Sequence, residues 1–301
     1  MTGNFNGSSH KKPHPLFHDF TSRQYMITPD FEYFHYTNKS AAEIEYHNHD
    51  FYEIYFFISG KVSYMIEGKA YRLKPWDILL IHNNEIHKPI VEEGEPYERI
   101  VLWVNPGFLK KHGTKNTNLS LCFESAFPGK TNLLRPTPER LNKISSILSE
   151  FENACSSTSY GSNILKELYV IELIVFINKA YLESFGDGAG EDIEYDEKIN
   201  DIISYIKDNL DSDLSLDHLS RKFYISKYHL LREFRKYTGY TIHNYIRQKR
   251  LIMAKSLLRE GFSVTETCER CGFGNYSNFI RAFKNAFGIP PKKYYNSFKQ
   301  L

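Results

Sequence analysis

Three histidines and a glutamate in the first third of the chain have the types and spacing of a metal or ligand site. His47, His49 and Glu53 lie close together in the run HNHDFYE. Since side chains two apart on a β-strand point to the same side, all three can line one face. His87 follows a later apolar segment and can come from a neighbouring strand. Three imidazoles and a carboxylate suit zinc, iron, nickel or manganese, and the alternative is that they hydrogen-bond a polar ligand or one another.

Aromatic residues are abundant around this pattern and could form the wall of a ligand pocket. Some of these rings could stack on a sugar, although most of any such set will belong to the core. The side chains of the expected pocket are His47, His49, Glu53, His87, Trp76 and Tyr36.

A second chemical pattern is the concentration of positive charge at the C-terminal end. The net charge of the chain is only +2, but residues 215–301 carry 17 Lys and Arg against 5 Asp and Glu. The remaining residues carry 21 against 31. A basic block on an otherwise acidic protein predicts a polyanionic partner for that block, and the alternative is a solvated basic surface.

The basic block contains an internal repeat, because residues 221–245 and 270–294 align at a shift of forty-nine. The matched pairs are Leu230 with Phe279, Arg232 with Arg281, Phe234 with Phe283, Gly239 with Gly288 and Tyr245 with Tyr294. In each copy a short helix, a turn and a second helix are expected, which is a helix-turn-helix. The sequence Ser263-Val-Thr-Glu266 predicts a capping box, and a helix over residues 241–260 is expected to separate the copies by roughly 30 Å.

The outward faces of the second helices predict a DNA interface. Arginine can pair with guanine and asparagine with adenine, whereas lysines suit phosphates. The predicted base-reading residues are Tyr228, His229, Leu231, Arg232, Tyr276, Ser277, Asn278, Ile280 and Arg281. The predicted phosphate contacts are Lys227, Arg235, Lys236, Arg247, Lys249, Arg250, Lys284, Lys292 and Lys293.

The elements ahead of the basic block change from strands to helices. Short aromatic and β-branched runs such as residues 51–59, 62–66 and 77–82 predict a β-sandwich or small barrel. Two helices are expected after Pro138, and the second has an apolar stripe with Asn178 in it. The stripe consists of Ile164, Leu168, Ile171, Val175 and Leu182. It either covers its own β domain or forms a dimer contact in which Asn178 sets the register.

Several classes of protein are excluded by what the sequence lacks. The polar start has no apolar stretch, so no signal peptide is expected, and Val170–Ile177 is too short to span a bilayer. Four cysteines are too few for a disulfide framework. Cys268 and Cys271 are read as buried thiols because Cys268 aligns with the inward Leu219. A cytoplasmic protein without membrane contact is expected.

The repeat resembles the DNA-binding domain of the AraC/XylS transcription regulators over residues 196–297. The residues that carry the resemblance are Ile225-Ser226, Leu230-x-Arg232-x-Phe234, Gly239, Ser263-Val264, Gly272-Phe273, Phe279-x-Arg281-x-Phe283-Lys284 and Gly288-Ile289-Pro290-Pro291-x-x-Tyr294. The resemblance implies binding to promoters through both units, usually as a homodimer, with an effector domain ahead. RNA polymerase is a further possible partner.

The histidine-rich run resembles the first cupin motif, with Gly60 in the expected place. The second motif matches less well. His87 is in position, but Trp76, His82, Asn84 and Val91 replace the usual glycine, proline, glycine and asparagine. The resemblance implies a cupin barrel like the sensor domain of many AraC-type regulators. In those regulators the His/His/Glu pattern often remains without a demonstrated metal, so the expected cofactor is none, with a divalent metal at His47, His49, Glu53 and His87 as the alternative.

These observations predict a multidomain chain with an N-terminal all-β cupin barrel and following helices, then a C-terminal all-α domain with two helix-turn-helix motifs. The expected parts are a flexible arm at 1–20, an effector domain at 21–130, a helical dimerisation or connector region at 131–184, a linker at 185–195 and the DNA-binding domain at 196–301. The expected function is a non-enzymatic transcription activator. Since sugars are common effectors of the resembling regulators, a saccharide is the expected ligand. The rivals are a metal-dependent cupin enzyme fused to a DNA-binding domain and an effector-free dimeric regulator.

Overall fold

The computed structural model describes residues 23–38, 44–92, 94–124, 131–184 and 192–298. The predicted arm at 1–20 and the predicted linker up to residue 191 lie outside these ranges. Among the described helices, none has the length and apolar character needed to cross a membrane.

The N-terminal domain consists of two antiparallel sheets. Its strands are β1 (Phe31–Asn38), β2 (Tyr52–Ser59), β3 (Val62–Ile66), β4 (Lys69–Arg72), β5 (Ile78–Ile81), β6 (His87–Val91), β7 (Tyr97–Val104), β8 (Leu133–Leu134) and β9 (Ile193–Glu194). One sheet has the order β1-β7-β2-β5-β8 and the other β6-β3-β4-β9. We call this two-sheet domain the barrel.

The central strand β2 is buried over Tyr52–Phe57 and, apart from Glu53 and Ser59, it is built of apolar and aromatic residues because both of its faces are covered. Ile54 and Phe56 point to a core between the five-stranded sheet and helices. Tyr55 and Phe57 point to a second core between the two sheets. Alternate side chains of one strand therefore join two different cores, as the period of two requires.

Three helices follow the strands: α1 (Pro106–His112), α2 (Pro138–Ser156) and α3 (Ser162–Glu183). Leu173 and Ile177 of α3 are buried against the outer face of the five-stranded sheet. Asn178 uses its amide within the chain: Oδ1 accepts from the Cys122 N–H at 2.9 Å and Nδ2 donates to the Leu119 carbonyl at 3.1 Å. Of the two alternatives for the stripe, this favours the one in which α3 covers its own β domain at this position.

Two residues of the predicted stripe, Ile164 and Leu168, are 65% and 53% exposed. They lie on a face of α3 directed away from the core. The dimer contact stays a prediction for this part of the stripe.

The C-terminal domain is entirely helical in its described part. Its helices are α4 (Glu197–Asp208), α5 (Leu216–Lys222), α6 (Lys227–Thr238), α7 (Ile242–Arg259), α8 (Val264–Arg270), α9 (Tyr276–Phe287) and α10 (Pro291–Phe298). α5 and α6 form the first helix-turn-helix unit, and α8 and α9 form the second. The predicted multidomain fold is confirmed.

Each unit has its own core, and the two cores share a motif. Phe234 contacts Tyr245 edge to face with ring centroids 5.3 Å apart, and Phe283 contacts Tyr294 in the same way at 5.5 Å. The long helix α7 supplies residues to both cores. Ser263 and Glu266 form the predicted capping box at the start of α8.

The turn of the second unit is one residue longer than that of the first. Residues 223–226 separate α5 from α6, whereas 271–275 separate α8 from α9. One residue of each turn has a left-handed backbone conformation: Tyr224 (φ 49°) in the first turn and Gly272 (φ 67°) in the second. The first helices therefore align at a shift of forty-eight, so Leu219 corresponds to Thr267 rather than to Cys268 as the repeat suggested.

The strand β9 attaches the start of the C-terminal region to the barrel. Ile193 pairs with Tyr71 and Glu194 with Ala70 of β4. The carboxylate of Asp192 accepts from Lys74 and Arg135, each at 2.5 Å. The last part of the predicted linker thus forms a strand on the barrel immediately before α4.

Candidate functional site

The two second helices present the predicted base-reading side chains to solvent. In α6, Tyr228 is 76% and Leu231 is 41% exposed, and His229 and Arg232 are exposed as well. In α9, Ser277, Asn278 and Arg281 are exposed, as is Tyr276 at 48%. Ile280 differs from the rest because it is half-buried against the second core.

The matched arginines have different neighbours on their own helices. Arg232 donates through Nε to the carboxylate of Glu233 at 2.8 Å and lies 3.2 Å from His229 Nδ1. Arg281 donates to the amide oxygen of Asn278 at 2.6 Å. The first arginine is therefore bound by an anion and the second by a neutral group.

A cleft of about 890 Å³ separates the two units. Its walls include Leu231 from α6, Arg247 from α7, and Asn278 and Arg281 from α9. Predicted base readers of both units thus border one concave surface.

Seven of the nine predicted phosphate contacts are exposed. They are Lys227, Arg235, Lys236, Arg247, Lys284, Lys292 and Lys293. Positive side chains that are free to approach a polyanion from solvent are compatible with such a role.

The phosphate prediction is wrong for Lys249 and unsupported for Arg250. Lys249 is 6% exposed, and its Nζ donates to Glu67 Oε1 at 2.5 Å and to the Asn84 carbonyl at 2.6 Å. Arg250 donates to the carbonyls of Leu210 and Ser212 at 2.8 and 2.9 Å. Both side chains are used to hold parts of the chain together.

Glu67 of the barrel is the centre of a buried network with the first unit. Besides Lys249, its carboxylate accepts from the Tyr245 hydroxyl and pairs with Lys207 at 2.9 Å. Burial alone would raise the pKa of Glu67, but Lys207 and Lys249 outweigh burial and hold the pKa well below its usual range. The carboxylate is therefore ionised where it joins the barrel to α4 and α7.

Two further contacts join the barrel to the helical domain. Asp50 pairs with Lys255 at 3.1 Å and with Arg259 at 2.6 Å, both on α7. The Tyr240 hydroxyl donates to the Tyr46 carbonyl at 2.9 Å, and the Tyr46 ring lies against Gly239. With the Glu67 network, we call these the docking contacts.

A pocket of about 300 Å³ opens between the two sheets of the barrel. Of the predicted pocket residues, His47, Glu53 and Tyr36 line it, whereas His49 and His87 are not among its lining residues. Trp76 does not line it either, and that prediction is wrong: its ring packs into the core on the helix side of the five-stranded sheet.

Several pocket residues were missed by the sequence reasoning. Tyr97, Arg99, Val101 and Trp103 of β7 all line the pocket. Their alternation along one strand is the signal that could have identified them. The Arg99 guanidinium lies 4.2 Å from the Tyr97 ring centroid, so the wall combines aromatic faces with a cation.

The three predicted histidines come together in the barrel, and His47 is the one that also lines this pocket. One ring nitrogen from each of His47, His49 and His87 lies within 4.8 Å of the others. His49 and His87 are buried, and His47 is half-buried. Burial lowers the pKa of His47 and of His87, so both imidazoles are neutral near pH 7. We call these three residues the histidine cluster.

Glu53 reaches the histidine cluster through His49. Its Oε2 lies 3.2 Å from His49 Nε2 and accepts from Trp103 Nε1 at 2.9 Å. Burial alone would raise the pKa of Glu53, but the hydrogen bond from His49 outweighs burial and lowers it. An ionised carboxylate thus lies behind the cluster.

Comparison with known proteins gives matches to both halves of the chain. A family model described as an AraC-like ligand binding domain matches residues 29–168, and a helix-turn-helix domain matches 219–297. The HTH-type transcriptional activator RhaS of Citrobacter koseri is 24% identical over 254 residues, covering 82% of this chain and 85% of that protein. The RhaS protein of an Enterobacter species is also 24% identical over 255 residues, covering 82% and 86%.

Among solved structures, fatty-acid-bound ToxT from Vibrio cholerae matches with a TM-score of 0.38 and 17% identity. The match covers 89% of this chain and 95% of ToxT.

Proposed function

Because the chain belongs to the AraC family of DNA-binding transcription regulators, we propose that it activates transcription in response to a small polar effector of the saccharide class. The observation that carries the proposal is the pair of exposed, non-identical second helices joined to a ligand-binding barrel. The activating role is taken from the relatives, which are described as transcriptional activators.

Each protomer is proposed to read two unlike half-sites. α7 has 18 residues, which at ~1.5 Å per residue gives about 27 Å between its ends. This length is of the order of the ~34 Å between successive major grooves on one face of DNA. Tyr228 and His229 in one unit correspond to Ser277 and Asn278 in the other, so the two units present different groups to the bases.

The effector is proposed to bind in the pocket between the sheets. The volume of about 300 Å³ suits a ligand of about one sugar ring. Tyr36, Tyr97 and Trp103 supply aromatic faces, while Arg99 and Glu53 supply charged groups for hydroxyl or carboxylate substituents.

A homodimer is proposed to form through the outer face of α3. Ile164, Leu165 and Leu168 are 40–65% exposed, with Leu168 one turn after Ile164, and apolar residues at this spacing are typical of a helix contact.

The DNA part of the proposal is tested by genome-wide mapping of bound sites followed by binding to one recovered site in vitro. Observed affinity should fall steeply with salt. Lys293→Ala should weaken binding to cognate and random DNA about equally. Recovery of no enriched sites, together with equal affinity for all sequences, would refute the proposed regulator.

The effector part is tested by thermal shift of the full chain over sugars and sugar acids. A saturating shift should disappear in Arg99→Met or Tyr55→Phe, which alter the pocket, and persist in Trp76→Phe, which lies outside it. If no compound shifts the melting temperature, or if Trp76→Phe abolishes the shift equally, the pocket assignment fails and the effector-free dimer gains support.

A further inference from the structure

Two exposed side chains of α7 line the cleft between the two helix-turn-helix units. They are His243 and Arg247, which lie one helical turn apart. Because residues four apart are neighbours on the surface of a helix, the imidazole and the guanidinium lie side by side. Neither forms a hydrogen bond or an ion pair with any residue that the structure describes. Both groups are therefore available to a partner that enters the cleft.

The charge of the cleft is positive, and Arg247 is its uncommitted guanidinium. The guanidiniums of Arg250 and Arg281 also line the cleft, but each donates a hydrogen bond within the chain. Asp213 supplies the one carboxylate among the lining residues, and it accepts from the N–H and hydroxyl of Ser215 at 2.9 and 3.2 Å. An anionic surface placed over the cleft would be attracted to it.

The cleft opens on the side of the molecule that carries the predicted base readers. Leu231 of α6 borders it, and so do Asn278 and Arg281 of α9. Major and minor grooves alternate along one face of B-DNA. When α6 and α9 enter successive major grooves, the minor groove between them therefore lies over the cleft. His243 and Arg247 then face base pairs that neither of the two second helices reads.

We propose that Arg247, assisted by His243, binds in the minor groove between the two half-sites and makes the protein prefer A·T base pairs there. A narrow A·T-rich minor groove has an enhanced negative potential, which attracts arginine and histidine side chains. A·T pairs present only acceptor atoms in this groove, whereas a G·C pair adds the 2-amino group of guanine. The proposal rests on the proposed function, and it replaces the phosphate contact predicted for Arg247.

A preference of this kind gives the operator three recognised segments. The two half-sites are read in the major groove by α6 and α9, and the spacer between them is read in the minor groove by α7. Base pairs that no second helix touches would then contribute to specificity through the width and potential of the groove.

The proposal is tested by fluorescence anisotropy of the full chain on a site recovered by genome-wide mapping. The two half-sites are kept, and the base pairs between them are exchanged. The wild type should bind an A·T spacer at least about fivefold more tightly than a G·C spacer. A spacer of inosine·cytosine pairs should restore tight binding, because inosine lacks the 2-amino group of guanine but keeps its major-groove edge.

Variants of the cleft assign the preference to its residues. Arg247→Ala should bind the A·T and G·C spacers with nearly equal affinity, and His243→Ala should reduce their ratio less. Arg247→Lys keeps the charge but has a more strongly hydrated head group, so it should recover only part of the preference. Arg235→Ala is the matched control, since Arg235 is an exposed arginine of α6 outside the cleft. This control should weaken binding to both spacers by the same factor.

Three results would overturn the proposal: equal affinity of the wild type for all three spacers, an inosine·cytosine spacer bound as weakly as G·C, or an unchanged ratio in Arg247→Ala. Weaker binding to both spacers with an unchanged ratio would return Arg247 to a phosphate contact. Scrambled half-sites separate this failure from that of the proposed function. If the wild type does not distinguish them from the recovered half-sites, both proposals fall, whereas half-site discrimination without a spacer preference refutes this one alone.

Discussion

The two helix-turn-helix units share a sequence pattern but differ in what surrounds them. The first unit is held by the barrel through Glu67, Ile86 and Tyr46. The second has a core of its own, formed by α8, α9, α10 and the end of α7. The hydroxyl of Tyr245 in the first unit donates to Glu67, whereas its counterpart Tyr294 lies within the second core. The repeat therefore maintains the internal architecture of each unit. The barrel holds the first unit through a buried network and reaches the second through the Asp50 pairs with Lys255 and Arg259 at the end of α7.

The largest expected effect is that of removing the Glu67 carboxylate. Glu67→Ala leaves Lys249 buried without its anion, and breaking a buried pair in this way costs about 3–5 kcal/mol. Native-state hydrogen exchange should show the loss in α6 and α7 rather than in α9. The control is Ser263→Ala, which removes the N-cap side chain of α8 in the second unit and should cost about 1 kcal/mol. Similar small losses from both variants would mean that the barrel does not stabilise the first unit.

The two glycines that end α6 and α9 provide a more local comparison. Both are left-handed, with φ 73° at Gly239 and 75° at Gly288, so alanine should cost about 1–2 kcal/mol at either position. At Gly239 the added Cβ would lie 1.9 Å from Tyr46, while nothing lies within 4 Å at Gly288. Thermal unfolding should therefore show a larger loss for Gly239→Ala.

A double-mutant cycle isolates the contribution of Tyr46 to that difference. In a Tyr46→Ala background the two glycine variants should become equally costly, since the colliding ring is gone. A gap that persists in this background would assign the difference to something other than docking.

The matched arginines should contribute to base recognition in both units. Arg232→Ala and Arg281→Ala should each cost ~1–3 kcal/mol on a cognate site and relax preference at one position. If either variant lowered binding to specific and random DNA alike, that arginine would not be a base reader.

The two arginines can be compared further through Glu233, because the second unit has Ala282 at the matched position and so has no anion there. Glu233→Gln removes an anion that binds Arg232, so DNA binding should tighten, by less than about 1 kcal/mol for a surface pair. Fluorescence anisotropy on the same DNA fragment measures all three changes. Weaker binding by Glu233→Gln would indicate that the pair positions Arg232 rather than restraining it.

A pH dependence is also expected at the docking contacts. The pKa of Glu67 is lowered by Lys207 and Lys249 against the effect of burial, and that of Asp50 by Lys255 and Arg259. A lowered pKa contributes stability above the unfolded value, about 4.3 for glutamate, and the contribution is lost as pH falls. Urea unfolding should show that the difference in the free energy of unfolding between wild type and Glu67→Gln becomes smaller below about pH 4. If this difference became larger on acidification, the lowered pKa assigned to Glu67 would be wrong.

Local patterns in the sequence were sufficient to predict the strands and helices and the buried faces of the helices. Val62–Ile66 and the capping box at Ser263 agree with the structure because strand alternation and cap chemistry depend on near neighbours. Phe234 and Phe283 are buried as their spacing predicts.

Contacts between distant parts of the chain could not be predicted in this way. Lys249 was predicted to contact phosphate because it is a lysine in the basic block. Its partner Glu67 lies far away in sequence and is brought close only by docking. The prediction that Trp76 lines the pocket was wrong for a related reason. Both faces of the sheet are covered, and the alternation along a short strand does not show which of the two cores a residue beside that strand joins. The sequence left open whether Asn178 sets a dimer register, and the structure shows that the backbone of residues 119 and 122 uses its amide.

The pairing of β9 with β4 has a consequence for how far the helical domain can travel. Only Tyr195 and Asp196 lie between the end of β9 and the start of α4. Two extended residues span at most ~7 Å, so an undocked domain stays beside its own barrel at a very high effective concentration. Redocking is then fast and independent of protein concentration. The two-residue strand thereby sets how far the helical domain can move from its own barrel.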